Sequence, residues 1–250
     1  MRIDLNADAG ESFGNWRLGN DEELFKYVTS ANLACGFHAG DPLTLRHSVE
    51  LCKRLGVAAG AHPGFPDLVG FGRREMAATP DEVYADVLYQ LGALSAFLKL
   101  EGIPLHHVKA HGALYNRAAK DAATAKAIAQ AIRDFDPGLP MVVLPGTPLE
   151  TQALALGLRA VREAFPERGY APDGRLAARG TPLAIIHDPE EAARRAVRIV
   201  LDGKLEAVDG SEIRLEAQTL CIHGDNPGAP QIARRIRQAL EAEGVEIRAF

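Results

Sequence analysis

The chain has 250 residues, 47% of them apolar and 24% charged, which suits one large α/β domain with a substantial core. The net charge of −5 is dispersed and forms no run, which excludes nucleic acid as a principal partner, because backbone phosphates demand a basic patch. Cys35, Cys52 and Cys221 form neither a metal knuckle nor a disulfide framework, and no apolar run approaches the ~20 residues needed to span a membrane. The opening MRIDLNADAG carries acids where a secretion signal needs an apolar core, so a cytoplasmic location is expected.

Short apolar strands alternate with helical stretches, the pattern of βα units around a parallel sheet. Arg2 to Leu5 is the first predicted strand, Glu22 to Val28 a helix and Ala31 to Ala34 the second strand. Asp41 caps the next helix and Pro42 fits its first turn; the helix runs to Leu55 and ends at Gly56. Val57 to Ala61 is the third strand. A Gly- and Pro-rich loop from His62 to Ala78 follows, long enough to suggest a functional role.

Thr79 and Glu82 make a capping box for a helix to about Leu100. His107 to Lys109 is the fourth strand, Asp121 opens a helix to Phe135, and Met141 to Leu144 is the fifth strand. A helix at Leu149 to Leu156 and a strand at Leu158 to Arg162 precede a polar loop from Ala164 to Arg179. Pro182 to Ile186 reads as a further strand. Asp188, Pro189 and Glu191 start a helix ending near Gly203, and Glu206 to Leu215 reads as a hairpin turning at Asp209-Gly210. Leu220 to His223 is a strand, Pro230 to Glu243 a helix and Val245 to Ala249 a terminal strand. These seven or eight units fit a parallel β/α barrel spanning residues 1–250 as a single domain, with an open doubly wound sheet as the alternative.

In such folds chemistry sits beyond the C-terminal ends of the strands. Five polar clusters fall there: DLNADAGESFG with Asn6, Asp8 and Glu11; NLACGFHAGDP with His38; GAHPGFPD with His62 and Asp67; VKAHGALYN with Lys109, His111 and Asn116; and CIHGDNPGA with His223 and Asp225. Six of the eight histidines lie at or just past strand ends. Alternation puts Asp4, Asn6 and Asp8 on one face; Asp8 is nearest the mouth, and one of the two carboxylates is structural. By the same parity His107, not His106, shares the face of Lys109. Asp41 reads as a helix cap, Cys35 and Cys221 as buried small residues, and His47 as structural.

Lys109 ends a buried strand, where a cation must be paired or used; there it could bind an anion or stabilise an oxyanion. Asp8, His62 and His111 could present mixed ligands to a divalent ion, although no HxxxH or HExxH spacing supports it. No phosphate-binding GxxxxGK[ST] loop, GxGxxG fingerprint or GxSxG elbow is present.

At these five motifs, with EAFPERGY as a weaker sixth, the chain resembles the LamB/YcsF family, the family of the A subunit of bacterial ATP-dependent 5-oxoprolinases. The motifs occur in the family's order from residue 4 to about 230. Two departures stand out: Ala110 replaces a usual proline, and Pro166-Glu167 replaces the Ala-Asp of EAFADR-Y. The resemblance implies a β/α barrel similar to the polysaccharide deacetylase superfamily. It also implies opening of 5-oxoproline to L-glutamate at the expense of ATP, taken as co-substrate with Mg, in a complex with subunits B and C. On that basis Asp8, His62, Lys109 and His111 are expected to be catalytic. Asn6, Glu11, His38, Asn116, Arg168, His223 and Asp225 are expected to bind substrate. A stand-alone metal-dependent deacetylase or amidohydrolase is the alternative.

Overall fold

The structure is a computed structural model that describes residues 1–178 and 180–250. In chain order the elements are β1 (Arg2–Ala9), α1 (Asp21–Leu24), β2 (Ser30–Ala34), α2 (Pro42–Leu55), β3 (Ala58–His62), α3 (Pro80–Glu101), α4 (Gly112–Ala118), α5 (Ala122–Phe135), β4 (Met141–Val143), α6 (Pro148–Ala155), β5 (Ala160–Ala164), α7 (Pro189–Asp202), β6 (Lys204–Glu206), β7 (Glu212–Arg214), β8 (Thr219–His223), α8 (Ala229–Ala242) and β9 (Glu246–Ile247).

Six of these strands form a parallel sheet in the order β3-β2-β1-β8-β5-β4, and β9 adds to the first residues of β1. The segment around Val108 closes the sheet on itself. Val108 bridges Ala61 on one side and Met141 on the other, both in parallel. Its flanks are held by Lys109 N–H to Ala61 O (2.9 Å), Val108 N–H to Pro140 O (3.0 Å) and Val142 N–H to Val108 O (2.9 Å). Six strands plus this segment make a seven-membered parallel barrel, which bears out the closed alternative rather than the open sheet.

The helix starts follow the chemistry expected of them. Asp41 accepts from Leu43 and Thr44 N–H, Thr79 and Glu82 form the reciprocal capping box, and Asp188 accepts from Glu190 N–H. Apolar side chains of the helices and of the outward strand faces form a continuous layer that includes Leu5, Leu33, Leu91, Leu94, Ile128 and Ile236, all fully buried. That layer supplies the stability that lets the barrel interior be polar.

Three expectations are corrected. Residues 182–186 form no strand: Ile185 makes one antiparallel bridge to Arg168, and Leu183 takes a left-handed φ of 60° that breaks an extended run. The terminal strand shrinks to Glu246–Ile247. Helix α4 was not foreseen from the sequence, because its start at Gly112 lacks a side-chain cap. In the loop from Ala164, Tyr170 bridges Leu176, so its described part is a folded flap; its last residue, Arg179, lies outside the described residues.

Gly60 in β3 shows how tightly the interior is filled. A Cβ there would meet His107 Nε2 at 2.2 Å and Cε1 at 2.3 Å, so the absence of a side chain is what lets the imidazole lie across the barrel. Gly60→Ala is therefore expected to lower stability by about 1–3 kcal/mol, the cost of overpacking, read as a shift of the urea midpoint. An unchanged midpoint would mean the ring relocates freely.

Candidate active site at the C-terminal mouth

Parity along β1 places Asp4, Asn6 and Asp8 in the barrel interior at increasing height, all buried. Asp4 is the structural member. It accepts hydroxyl hydrogen bonds from Thr29 (2.6 Å), Ser30 (2.8 Å) and Thr219, and burial lifts its carboxyl to about 6 against those three bonds. Asn6 donates to Glu163 (3.1 Å) and to Thr219 (2.6 Å). Asn32 on β2 donates to both Asn6 Oδ1 (2.7 Å) and Asp8 Oδ1 (2.8 Å), and accepts from His107 Nε2 (2.7 Å).

Lys109 stands at the centre of this network. Its ammonium reaches Asp8 Oδ1 at 2.9 Å, Glu163 Oε1 at 2.8 Å and Cys221 Sγ at 2.9 Å. Asn6 Oδ1 lies at 3.4 Å as well, so three donors face four partners and the cation is paired rather than free for an incoming anion. Burial alone would discharge the lysine, but the charges of Asp8 and Glu163 hold its proton well above the usual range. Burial alone would likewise raise Asp8. The charges of His62, once it takes up a second proton, and of Lys109 outweigh it and keep this carboxyl well below the usual carboxylate range. Cys221 is not the inert core residue its apolar neighbours suggested: its thiol faces this charged centre, and burial pushes its pKa far up.

Two histidines flank Asp8 on the β3 side. His62 Nε2 lies 3.4 Å from Asp8 Oδ2, and its Nδ1 lies 2.8 Å from the carbonyl of Lys109. His111 Nε2 lies 2.8 Å from the carbonyl of Phe71. A carbonyl only accepts, so each ring carries its hydrogen on that side and turns a lone pair inward. The inward atoms, His62 Nε2 and His111 Nδ1, are 3.1 Å apart. The loop from His62 to Ala78 sets this up. Phe71 and Gly72 both take left-handed backbone (φ 55° and 61°), which turns the Phe71 carbonyl onto His111. A Cβ at Gly72 would strike His38 Cβ at 2.7 Å and His111 Cδ2 at 2.8 Å. Asp67 serves this loop by pairing with Arg74 and capping Gly70 N–H.

Above these groups opens a cavity of about 340 Å³, walled by Asp8, His62, Lys109, His111, Asn116, Arg168 and His223 among others. Asn6, Glu11 and His38, expected to touch substrate, do not reach its wall. Asn6 lies deeper, in the lysine network. His38 stacks on the far side of His111, ring centroids 3.7 Å apart, with Glu11 Oε1 3.6 Å from its Nε2. Asp225 is engaged by Arg73 at the rim (2.7 Å). Arg168 reaches the cavity while donating to the carbonyls of Ala177 (2.8 Å) and Ala184 (3.1 Å), which ties the flap down.

Glu163 was not singled out in the sequence, and Glu167 was marked only as a departure from the family motif. Glu163 is the last inward carboxylate of β5 and also accepts from Tyr115 Oη (3.3 Å). The predicted strand stopped at Arg162, one residue short, so its parity was never read. Among the described residues, Asp8, His62 and His111 could hold a metal ion, as could Glu11, His38 and His111, or Asp8, Cys221 and His223. The first set fits the donor chemistry best, because a cation there would take both inward lone pairs together with an ionised carboxylate.

Fold and site together define a parallel β/α-barrel protein with a buried acid–lysine–histidine centre at its C-terminal mouth. The chain belongs to the LamB/YcsF family, whose family pattern matches residues 3–250. It is 66% identical, over the full length of both chains, to a protein of Thermus thermophilus named as the A subunit of 5-oxoprolinase. It is 53% identical to one of the same name from Thermococcus onnurineus, covering 99% of this chain and 97% of that one. The crystal structure of a lactam utilization protein, also from Thermus thermophilus, superposes with a TM-score of 0.96 at 64% identity, covering both chains fully.

Removing the lysine charge should strand two buried carboxylates. Lys109→Met is expected to cost about 3–5 kcal/mol of stability, and adding Glu163→Gln should return part of that loss in urea denaturation. A double variant no more stable than the single one would deny the charge coupling.

Proposed function

We propose that this chain is one component of an ATP-dependent 5-oxoprolinase. It opens the lactam ring of 5-oxo-L-proline to L-glutamate as ATP is hydrolysed to ADP and phosphate, in concert with subunits B and C. The observation that carries the reading is full-length identity of 66% to a protein named as such a component; the site chemistry supports it. A lactam carbonyl is a poor electrophile. Transfer of a phosphoryl group to its oxygen, with ATP and Mg as co-substrates, makes the carbon open to water and the departing group better. The step then needs a base for water, an acid for the ring nitrogen and cations for the oxygens.

In this reading the inward lone pairs of His62 and His111, beside ionised Asp8, receive the water proton. Lys109 keeps Asp8 ionised, and its charge bears on the oxyanion through the field of the centre rather than by a free hydrogen bond. Arg168, with Asn116 across the cavity, holds the substrate carboxylate. A cavity of about 340 Å³ suits a small cyclic amide. The test is glutamate release from 5-oxoproline with ATP, by this chain alone and with its partner subunits. Turnover is expected only in the complete complex. Lys109→Ala, in an assembled complex, should lower it at least ~10³-fold, the scale of losing an electrostatic stabiliser; retained turnover would sink the assignment.

One observation favours a second reading, a metal-dependent amidohydrolase acting alone: two imidazole lone pairs face each other at 3.1 Å beside a carboxylate. An ion held by Asp8, His62 and His111 would supply Lewis acidity and an acidified water. Elemental analysis of the purified chain, with a panel of N-acetyl substrates, separates the two. The leading reading expects no stoichiometric metal and no deacetylation; a full equivalent of zinc accompanied by deacetylation would favour the second.

A further inference from the structure

A third imidazole faces the cavity from the opposite side and is built differently from the other two. His223 ends β8 and lines the cavity wall. Glu167 comes from the flap after β5, the strand beside β8, and is 3% exposed. One of its oxygens, Oε1, accepts the main-chain N–H of His223 at 3.0 Å and pairs with His223 Nδ1. Its other oxygen is buried and has no hydrogen-bond partner among the described residues. The carboxylate is thus directed at one residue. Phe165 stacks along the imidazole, centroids 5.6 Å apart and 22° between planes, which fixes the ring's rotation.

The three rings therefore differ in what they can do with a proton. His62 and His111 set their hydrogens on carbonyl oxygens and turn lone pairs inward, which suits acceptance. His223 sets its Nδ1–H on a carboxylate. That contact fixes the tautomer, so that when the ring holds both protons Nε2–H is the group left to donate. The charged groups around it are Glu167 from the flap, Asp8 from β1, Lys109 over the Phe165 ring (5.2 Å), and Arg168 and Arg73 on the cavity wall. A ring nitrogen of His223 lies within 4.8 Å of an Asp8 oxygen, so donor and acceptor sides meet at the same point.

We propose that His223 is the catalytic acid that protonates the departing ring nitrogen, and that Glu167 is its positioning residue. The assignment rests on the lactam-opening reading above. Water adds its oxygen to the amide carbon and yields a proton to the His62–His111 side. The carbon–nitrogen bond then breaks; its electron pair goes to nitrogen, which takes the proton from Nε2. The imidazole keeps the N–H electron pair and is reprotonated from solvent. The products are an amine and an acyl phosphate, whose phosphate a second water releases to leave the carboxylate; no oxidant or reductant is required.

The test combines a readout that needs no substrate with one that does. In ¹⁵N-histidine spectra of the full chain, His223 should be the Nδ1–H tautomer when neutral. In Glu167→Gln the neutral ring should lose its preference for that tautomer, while Glu167→Asp should restore it in part. In the assembled complex, His223→Gln should lower kcat about 10²–10⁴-fold with little change in KM. Glu167→Gln should lower kcat by a smaller factor, which Glu167→Asp returns in part. An unchanged tautomer in Glu167→Gln overturns the dyad whatever the complex does. A changed tautomer with unchanged kcat, or His223→Gln retaining more than about a tenth of kcat, overturns the catalytic role. Wild-type complex that opens no lactam while the tautomer behaves as expected sinks the functional reading instead, so the two failures are told apart.

Discussion

Everything at the mouth of this barrel depends on one ammonium group shared between two buried carboxylates. Asp8 and Glu163 arrive from strands on either side of β8, and each would be expelled or neutralised alone in an interior this dry. Lys109 offsets them, and Asn6, Asn32 and Cys221 fill the remaining hydrogen-bond sites. The closure of the ring at Val108 is what puts the lysine there, since the next residue along that segment must point inward. Topology and electrostatics are therefore one problem: the barrel closes through the residue that precedes its charge balance.

From that centre the chemistry divides by side. Toward β3, a loop with two consecutive left-handed residues aims a carbonyl at His111 and so presents lone pairs. Toward β5, a buried glutamate holds His223 by its Nδ1 and so presents a donor. The same side-chain type is given opposite tasks by the acceptor placed behind it. Asp8, kept ionised, lies close to both sides, within 4.8 Å of nitrogen atoms on each.

Much of this was legible in the sequence where periodicity speaks. Alternation along the first strand correctly stacked Asp4, Asn6 and Asp8 and chose Asp8 as the member at the mouth. Parity chose His107 over His106 for the interior, and Asp41 caps its helix as its place before Pro42 suggested. What strand alternation cannot show is which strands lie beside one another. Glu163 and Glu167 matter because β5 neighbours β8 across more than fifty residues of chain, a pairing no local pattern reveals. Cys221 looked apolar for the same reason: its neighbours in sequence are core residues, while its neighbours in space are Asp8 and Lys109. Glu11 and His38 sit in convincing motifs yet lie behind His111, because proximity to a strand end does not distinguish a wall from its backing.

The lysine centre also governs how such a protein can change over generations. Positions 8, 163 and 221 all meet the ammonium of position 109 at the buried floor of the cavity, and replacing any one leaves a charge or a donor stranded among the rest. They behave as one heritable unit, open to exchange only together. The rim is under no such bond: Glu75 and Lys120 are exposed at the cavity edge and can drift singly. New substrates would thus be explored at the lip of the barrel while the machinery below it stays fixed.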